Sequence, residues 1–146
     1  MILLTGATGF LGSQLLINLL DKNYEVVALK RSFSNTKRIS GVLKDKKLHL
    51  FDIDLVDPKE IFKIYSIDTI IHTANEYGRN ATPIFKILEA NLLLPLRLAE
   101  LGISKGVKTF INTDTFSNKG KSSHSILLDY SSSKKSLLSY LSKLSD

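Results

Sequence analysis

A tyrosine and a lysine stand four positions apart in the segment DYSSSKK, residues 129–135. On an α-helix this spacing places the Tyr130 and Lys134 side chains on one face, within reach of each other. An unperturbed phenol has a pKa near ~10, so it gives up its proton reluctantly at neutral pH. A nearby ammonium favours the phenolate and lowers that pKa. The pair therefore predicts a tyrosine acid or base whose ionisation Lys134 adjusts.

Three glycines follow the first apolar run, in TGATGFLG, residues 5–12. This pattern suits a dinucleotide, because Gly6 allows a tight turn, Gly9 lets backbone amides approach a pyrophosphate and Gly12 lets a helix pack closely on the sheet. The helix N-terminus adds a dipole that favours phosphate charge. A strand-to-helix turn that merely tolerates glycine is the alternative.

Short apolar segments alternate with helical ones along the chain. Strands are predicted over 1–5, 24–30, 47–54, 67–74 and 107–113, and helices over 12–20, 57–65, 84–101 and 130–144. Nearly continuous apolar strands are typical of a parallel sheet covered on both faces. Their alternation with helices indicates an open, doubly wound α/β fold.

Several residues predict where helices begin, break and face the core. Asp57 is expected to cap the second helix and Pro58 to begin it. Pro95 is expected to bend or interrupt the helix over 84–101. The last helix is predicted to place its leucines on one apolar stripe, and these are Leu137, Leu138, Leu141 and Leu144.

Composition limits the classes of protein. A length of 146 residues with 43% hydrophobic content predicts one domain, and the absence of cysteine excludes disulfides, thiol nucleophiles and cysteine-ligated zinc. Without a signal-like N-terminus or an apolar run of membrane-spanning length, we expect a cytoplasmic protein. The net charge of +6 is concentrated between Lys30 and Lys47, where Asp45 is the single acid. A phosphate-bearing small molecule explains this cluster more simply than nucleic acid, which remains an alternative.

These segments together resemble the extended short-chain dehydrogenase/reductases, the NAD-dependent epimerase/dehydratase family of nucleotide-sugar enzymes. TGATGFLG is similar to the family's glycine signature, FDIDLVD (51–57) to its segment after the third strand, and IIHTAN (70–75) to its fourth strand, with Asn75 departing from a small residue. The resemblance implies a Rossmann-like sheet of about five strands in the order 3-2-1-4-5, with helices on both faces. It also implies one truncated cofactor domain over 1–146, without the family's C-terminal substrate lobe.

The resemblance assigns roles to individual residues. Tyr130 and Lys134 would be catalytic, Lys134 would also hold the nicotinamide ribose, and Thr113 would hydrogen-bond the reacting carbonyl oxygen. Cofactor contacts fall on Gly6, Thr8, Gly9, Phe10, Leu11, Gly12, Arg31, Ser32, Asp54, Leu55, Thr73, Ala74 and Asn91. No metal is implied. Two of these cofactor contacts have structural alternatives, a loop cap for Asp54 and a helix-stabilising amide for Asn91. His72 is given no role in proton transfer.

The basic residues after the second strand favour NADP over NAD. A cation at this position accommodates the 2′ phosphate of NADP, whereas an acid holds the ribose hydroxyl of NAD. The chain has Lys30, Arg31 and Ser32 there, and no acid between Glu25 and Asp45. We expect Arg31 to contact the phosphate side of the adenosine, although NAD is possible and a solvated basic loop is the alternative.

Closer resemblance indicates a subfamily. Asp114 resembles the acid of the 4,6-dehydratases, but Thr115 stands where their glutamate should follow. HTANEYG (72–78), NTDTF (112–116) and the short separation of Thr113 from Tyr130 resemble the 4-ketoreductase subfamily that includes CDP-abequose synthase. This implies reduction of a CDP-linked 4-keto-3,6-dideoxyhexose with NADPH for bacterial surface polysaccharide, in a possible homodimer. The alternatives are an NAD-dependent nucleotide-sugar 4-epimerase or dehydratase, and an NADP-binding fragment without activity.

Overall fold

The computed structural model describes residues 1–79, 81–115 and 125–145, with side chains from residue 128 onward in the last range. The chain forms two compact units. The first comprises Met1–Ala74 and Leu101–Asn112, and the second comprises Asn75–Glu100 and Thr113–Asp146. The prediction of one domain over 1–146 stays a prediction.

A parallel sheet forms the centre of the first unit. Its strands are β1 (Ile2–Thr5), β2 (Val26–Lys30), β3 (Leu48–Asp52), β4 (Thr69–His72) and β5 (Thr109–Asn112). They pair in parallel in the order β3-β2-β1-β4-β5, which confirms the predicted Rossmann-like order. All four residues of the central strand β1 are buried, as expected for a strand with neighbours on both sides.

All five strands are shorter than predicted, and local hydrogen bonds explain the start of the second and the end of the fourth. The strand predicted over 24–30 begins only at Val26, because the Tyr24 amide bonds to the Leu19 carbonyl at 3.0 Å in the turn after the first helix. The strand predicted over 67–74 ends at His72, because the two following amides bond to a side chain of β1 instead of continuing the ladder.

Helices connect these strands. The elements are α1 (Phe10–Asp21), a 3₁₀ helix (Lys37–Val42) that was not predicted, and α2 (Pro58–Ile64). α1 buries Leu16 and Leu20 in a core with Leu4 and Val26. It begins two residues earlier than predicted, with Gly9 as its N-cap. The predicted start of α2 is confirmed, since the Asp57 carboxylate accepts the Lys59 amide at 2.8 Å and Pro58 is the first helical residue.

The helix predicted over 84–101 contains a wide turn. α3 (Ile84–Leu88) passes into a π-helical segment (Glu89–Leu93) and then into α4 (Leu94–Ser104). The Leu94 amide bonds to the Glu89 carbonyl, five positions earlier. Pro95 explains the position of this interruption, because in a regular α-helix its ring would press on the Asn91 carbonyl and supply no amide to it.

The last helix, α5 (Ser125–Leu144), begins five residues before the predicted start at Tyr130. Residues 125–129 contain no proline or glycine to end it earlier. Leu137 is buried and Leu141 and Leu144 are half-buried, whereas Leu138 is 47% exposed. The prediction that Leu138 shares their stripe is wrong, because adjacent helical residues point about 100° apart. None of the described helices combines the length and apolar character needed to span a bilayer.

Candidate functional site

A tight glycine turn connects β1 to α1. Gly6 has a φ of +70°, a conformation that residues with a side chain rarely adopt. A Cβ on Gly6 would lie 2.6 Å from the Ala74 amide nitrogen, and a Cβ on Gly12 would lie 2.8 Å from Thr73 Oγ1. A larger residue at either position would push the turn away from the end of β4. The turn therefore fits the backbone cradle that a dinucleotide requires.

The N-terminus of α1 opens directly from this turn. The Gly9 amide bonds to the Gly6 carbonyl at 2.9 Å, and the first intrahelical bond runs from Ser13 to Gly9 at 3.1 Å. The amides of the first helical turn have no acceptor within the helix itself. Together with the helix dipole they favour the binding of an anion at this end of α1. Three predicted contact residues lie beside them, Thr8 half-buried and Phe10 and Leu11 exposed.

Thr5 joins the ends of β1 and β4, and sequence reasoning missed it. Its Oγ1 accepts the backbone amides of Thr73 and Ala74, both at 3.2 Å, and lies 2.8 Å from His72 Nδ1. Since the two amides use both lone pairs of Oγ1, the Thr5 hydroxyl hydrogen is left to point to His72 Nδ1. One feature of the sequence could have identified Thr5, namely a hydroxyl side chain at the end of a buried strand. Buried backbone amides that follow the last residue of a neighbouring strand no longer bond within the sheet and need another acceptor.

Two acids from β3 and the turn after it face the basic residues at the end of β2. Asp54 Oδ1 lies 2.7 Å from Arg31 Nε, and Asp54 Oδ2 accepts the Ser32 amide at 2.8 Å. Asp52 Oδ2 lies 3.1 Å from Lys30 Nζ, since the strand register places these two residues opposite each other. Although the sequence has no acid between Glu25 and Asp45, the fold places the Asp54 carboxylate beside Arg31.

Apolar side chains flank the ion pair of Arg31 and Asp54. The Arg31 guanidinium carbon lies 5.3 Å from the Phe33 ring centroid, within cation–π range. Phe33 and Leu55 are about four-fifths exposed. They offer solvent-facing apolar surface of the kind that an adenine ring covers, although contact between adenine and Leu55 stays a prediction.

In the second unit, α5 carries Tyr130 and Lys134 on its buried face. Tyr130 is 5% exposed and Lys134 is fully buried. Burial lowers the pKa of the Lys134 ammonium, and the Asp114 carboxylate partly opposes this by favouring the charge. Within the described ranges Lys134 Nζ has no hydrogen-bond partner. A buried amine with unused donors is suited to ligand oxygens.

Burial also raises the pKa of the Tyr130 phenol. A hydrogen bond from the Thr115 side chain lowers this pKa in part, whereas Tyr77 and Asp114 raise it further by disfavouring the phenolate. The net direction contradicts the prediction that Lys134 lowers the pKa. That prediction rested on helical spacing, which does not reveal that burial disfavours both charged groups. Tyr130 is therefore protonated at neutral pH.

Asn91 lies in the π-helical segment and is fully buried. Its Oδ1 accepts the Glu76 amide at 2.8 Å, and its Nδ2 donates to the Glu76 carbonyl at 2.8 Å and to Ser133 Oγ at 3.1 Å. Ser133 Oγ in turn donates to the Tyr130 carbonyl at 2.7 Å. These bonds give Asn91 a structural role in holding Glu76 and Ser133, and its cofactor contact stays a prediction.

Thr113 directly follows β5, at the position predicted for a catalytic hydroxyl, and is half-buried. Thr115 is the hydroxyl that hydrogen-bonds the Tyr130 phenol, a role that its comparison with a dehydratase glutamate did not indicate. The role of Thr113 stays a prediction. Phe116, the last residue of the segment NTDTF, lies outside the described residues.

The predicted site residues divide between the two units. The first holds Gly6, Thr8, Gly9, Phe10, Leu11, Gly12, Arg31, Ser32, Asp54, Leu55, Thr73 and Ala74, and the second holds Asn91, Thr113, Tyr130 and Lys134. In the part of the chain that the structure describes, no three His, Cys, Asp or Glu side chains converge as a metal site would require. The roles of these residues, the possible homodimer and the expectation of no nucleic-acid partner stay predictions.

Known proteins match this chain along almost its whole length. The sequence profile of the NAD dependent epimerase/dehydratase family matches residues 2–139. CDP-abequose synthase of Salmonella muenchen is 37% identical over 134 residues, covering 92% of this chain and 44% of that protein. The CDP-abequose synthase of Salmonella typhimurium LT2 is 32% identical over 115 residues, covering 79% and 38%. The chain thus spans less than half the length of these relatives.

Solved structures share the fold. The UDP-Glc/GlcNAc 4-epimerase from Campylobacter jejuni superposes with a TM-score of 0.82 at 24% identity, covering 99% of this chain and 48% of that one. A UDP-glucuronic acid 4-epimerase from Bacillus cereus, in complex with NAD, gives a TM-score of 0.81 at 24% identity, covering 98% and 51%. At these identities the likeness establishes the fold.

Proposed function

Since the chain belongs to the NAD dependent epimerase/dehydratase family, we propose that it is part of an NADP(H)-dependent oxidoreductase acting on a nucleotide-linked sugar. The proposed reaction is reduction of the 4-keto group of a CDP-linked 3,6-dideoxyhexose, in the biosynthesis of bacterial surface polysaccharide. Two CDP-abequose synthases among its relatives support this substrate class. The observation that carries the proposal is the burial of Tyr130 and Lys134 on one face of α5.

Residues of the first unit would hold the cofactor. The turn from Gly6 to Gly12 leaves no space for side chains at its ends, which fits a backbone that receives a pyrophosphate. Arg31 would hold the 2′ phosphate, and the exposed side chains of Phe33 and Leu55 would flank the adenine. When bound, NADPH would supply a hydride to a carbonyl carbon.

Residues of the second unit would manage the proton. Tyr130 donates its phenolic proton to the carbonyl oxygen as that oxygen gains negative charge, and Thr113 donates a hydrogen bond to the same oxygen. Because burial raises the pKa of Tyr130, the phenol is protonated before the reaction. Lys134 would hold ribose hydroxyls of the cofactor, and its positive charge would stabilise the phenolate that remains after the transfer.

The acid beside Arg31 favours a second candidate, an NAD-dependent nucleotide-sugar 4-epimerase or dehydratase. Asp54 already holds the Arg31 side chain through Nε, and a carboxylate at the end of β2 is the group that favours the ribose hydroxyls of NAD. The two candidates differ in the cofactor that they prefer.

Calorimetric titration of this chain with NADPH and with NADH separates the candidates. The proposal expects clear binding with NADPH preferred, and an Arg31→Leu variant that loses this preference. Arg38→Leu is the matched control, because Arg38 is exposed on the same basic segment. Preference for NADH would favour the second candidate, and binding of neither would contradict both.

Turnover is tested by NADPH consumption with a CDP-linked 4-keto-3,6-dideoxyhexose. We expect Tyr130→Phe to abolish turnover while NADPH affinity is kept. If this variant and the wild type consume NADPH equally, Tyr130 is not the proton donor. If neither the variant nor the wild type consumes NADPH although both bind it, the chain is an NADP-binding module whose tyrosine is idle.

A further inference from the structure

A buried histidine that has no part in the proposed reaction lies at the end of β4. His72 is fully buried, and its Nδ1 lies 2.8 Å from Oγ1 of Thr5, which is buried as well. The strand register places these two residues opposite each other on β4 and β1. Because two backbone amides occupy the lone pairs of Thr5 Oγ1, the hydroxyl hydrogen is directed to His72 Nδ1. His72 is therefore the acceptor in this pair.

The Thr5 hydroxyl connects His72 to the first residues after β4. Its oxygen accepts the amides of Thr73 and Ala74, both at 3.2 Å. The Thr73 hydroxyl returns a bond to the Thr5 carbonyl at 2.7 Å. An acceptor for the Thr5 hydrogen fixes the rotation of the hydroxyl, so that both lone pairs stay directed at the amides. Donation to a neighbour also strengthens the bonds that the same oxygen accepts.

These first residues after β4 pack against the glycine turn. A Cβ on Gly6 would lie 2.6 Å from the Ala74 amide nitrogen and 2.8 Å from Thr73 Oγ1. A Cβ on Gly12 would also lie 2.8 Å from Thr73 Oγ1. The backbone of the turn thus fits directly against atoms that the Thr5 hydroxyl holds. Because closely packed atoms transmit strain, a displacement of Thr73 or Ala74 would move the turn.

We propose that His72 is a positioning residue for the cofactor. By accepting the hydrogen of the Thr5 hydroxyl, it keeps Thr73 and Ala74 against the glycine turn and preserves the shape of the turn that receives the pyrophosphate. This inference rests on the proposed binding of a dinucleotide at that turn. His72 acts through Thr5 and needs no contact with the cofactor. Its effect is therefore on ligands that carry a pyrophosphate.

Amide hydrogen exchange of the ligand-free chain, followed by NMR, tests whether His72 holds the end of β4. His72→Phe keeps a buried ring but removes the acceptor. It is expected to speed exchange at the Thr73 and Ala74 amides by more than at the amides of β1, which report global stability. His72→Asn carries an oxygen near the position of Nδ1 and is expected to restore most of the protection. Equal acceleration at both places would show a general loss of stability and would overturn the proposal.

Calorimetry with two ligands tests the effect on the turn. NADPH carries the pyrophosphate, whereas adenosine 2′-phosphate carries the adenine and the 2′ phosphate without it. His72→Phe is expected to weaken NADPH binding about fivefold, the effect of one lost hydrogen bond of typical strength, and to leave binding of adenosine 2′-phosphate unchanged. His49→Phe, which removes the ring nitrogen 3.3 Å from Tyr65 Oη on β3, is the matched control and should alter neither affinity. Equal losses for both ligands, or no loss for NADPH, would contradict the role of His72.

If His72→Phe does not fold, the ¹⁵N NMR spectrum of the histidine rings in the wild type decides the question. The chain has three histidines, and His72→Asn identifies the His72 resonances. An unprotonated Nδ1 is expected, and a protonated Nδ1 would overturn the proposal. Neither the exchange nor the ring measurement needs a nucleotide. A chain that binds neither NADPH nor NADH therefore contradicts the proposed function, while exchange at Thr73 and Ala74 still decides whether His72 holds the end of β4 against the turn.

Discussion

Arg31 and Asp54 form an ion pair across the ends of two neighbouring strands, with 2.7 Å between Nε and Oδ1. The two side chains are equally exposed, at 31% each. Half-exposed pairs of this kind hold a side chain in one orientation while contributing little to stability. The carboxylate therefore fixes the Arg31 guanidinium and partly neutralises it.

Removing this carboxylate is expected to strengthen the preference for NADPH. Asp54→Asn keeps the acceptor for the Ser32 amide but removes the negative charge beside Arg31. A change of about 1 kcal/mol in the attraction for the 2′ phosphate corresponds to a roughly fivefold rise in the ratio of NADPH to NADH affinity. Calorimetry with both cofactors measures the ratio. Asp52→Asn, which affects Lys30 instead, is the control, and an equal rise in both variants would contradict a specific role of Arg31.

Gly12→Ala is expected to weaken cofactor binding by about tenfold or more and to lower stability. The new Cβ would lie 2.7 Å from the Gly6 carbonyl carbon and 2.8 Å from Thr73 Oγ1, so the backbone of the turn must move. Gly41→Ala is a matched control, because a Cβ there meets no atom within 4 Å. That substitution is expected to be neutral or to stabilise the chain by about 0.5 kcal/mol. Denaturant unfolding and NADPH titration of both variants make the comparison.

Thr5→Val is expected to lower the free energy of unfolding by about 2–4 kcal/mol. It keeps the shape of the side chain but leaves the amides of Thr73 and Ala74 and the Nδ1 of His72 without the Thr5 hydroxyl, and buried groups without partners are costly. Thr5→Ser restores the hydroxyl and should recover most of the loss. If valine and serine give equal stability in urea unfolding, the hydroxyl network contributes nothing.

Lys134→Met is expected to stabilise the chain by about 1–3 kcal/mol at neutral pH, because it replaces a buried cation by an apolar side chain of similar length. Burial lowers the pKa of Lys134 in the folded state, so the unfolded chain binds the proton more strongly. Stability of the wild type therefore rises with pH between the folded pKa and the ordinary lysine value, and the advantage of methionine shrinks there. Lys135→Met, at an exposed position, is the control. A pH-independent difference between the wild type and Lys134→Met would contradict this account.

The glycine turn was predictable because it depends on a local pattern, and the strand order was predicted through the resemblance to a family of known fold. The ion pairs at the end of β2 were not, because Asp54 stands 22 positions after Ser32 and meets it only through the pairing of β2 with β3. The ionisation of Tyr130 was predicted in the wrong direction for a similar reason. Spacing on a helix identifies Lys134 as a neighbour, whereas burial and the approach of Tyr77 depend on tertiary packing. Thr5 was missed because its partners come from another strand.

The wide turn at Glu89–Leu93 bears on how this chain is aligned with its relatives. A π-helical turn is an α-helix that has accepted one extra residue without rotating the segments on either side. A relative that lacks this insertion would continue α3 into α4 as one regular helix and would show a one-residue gap in this region.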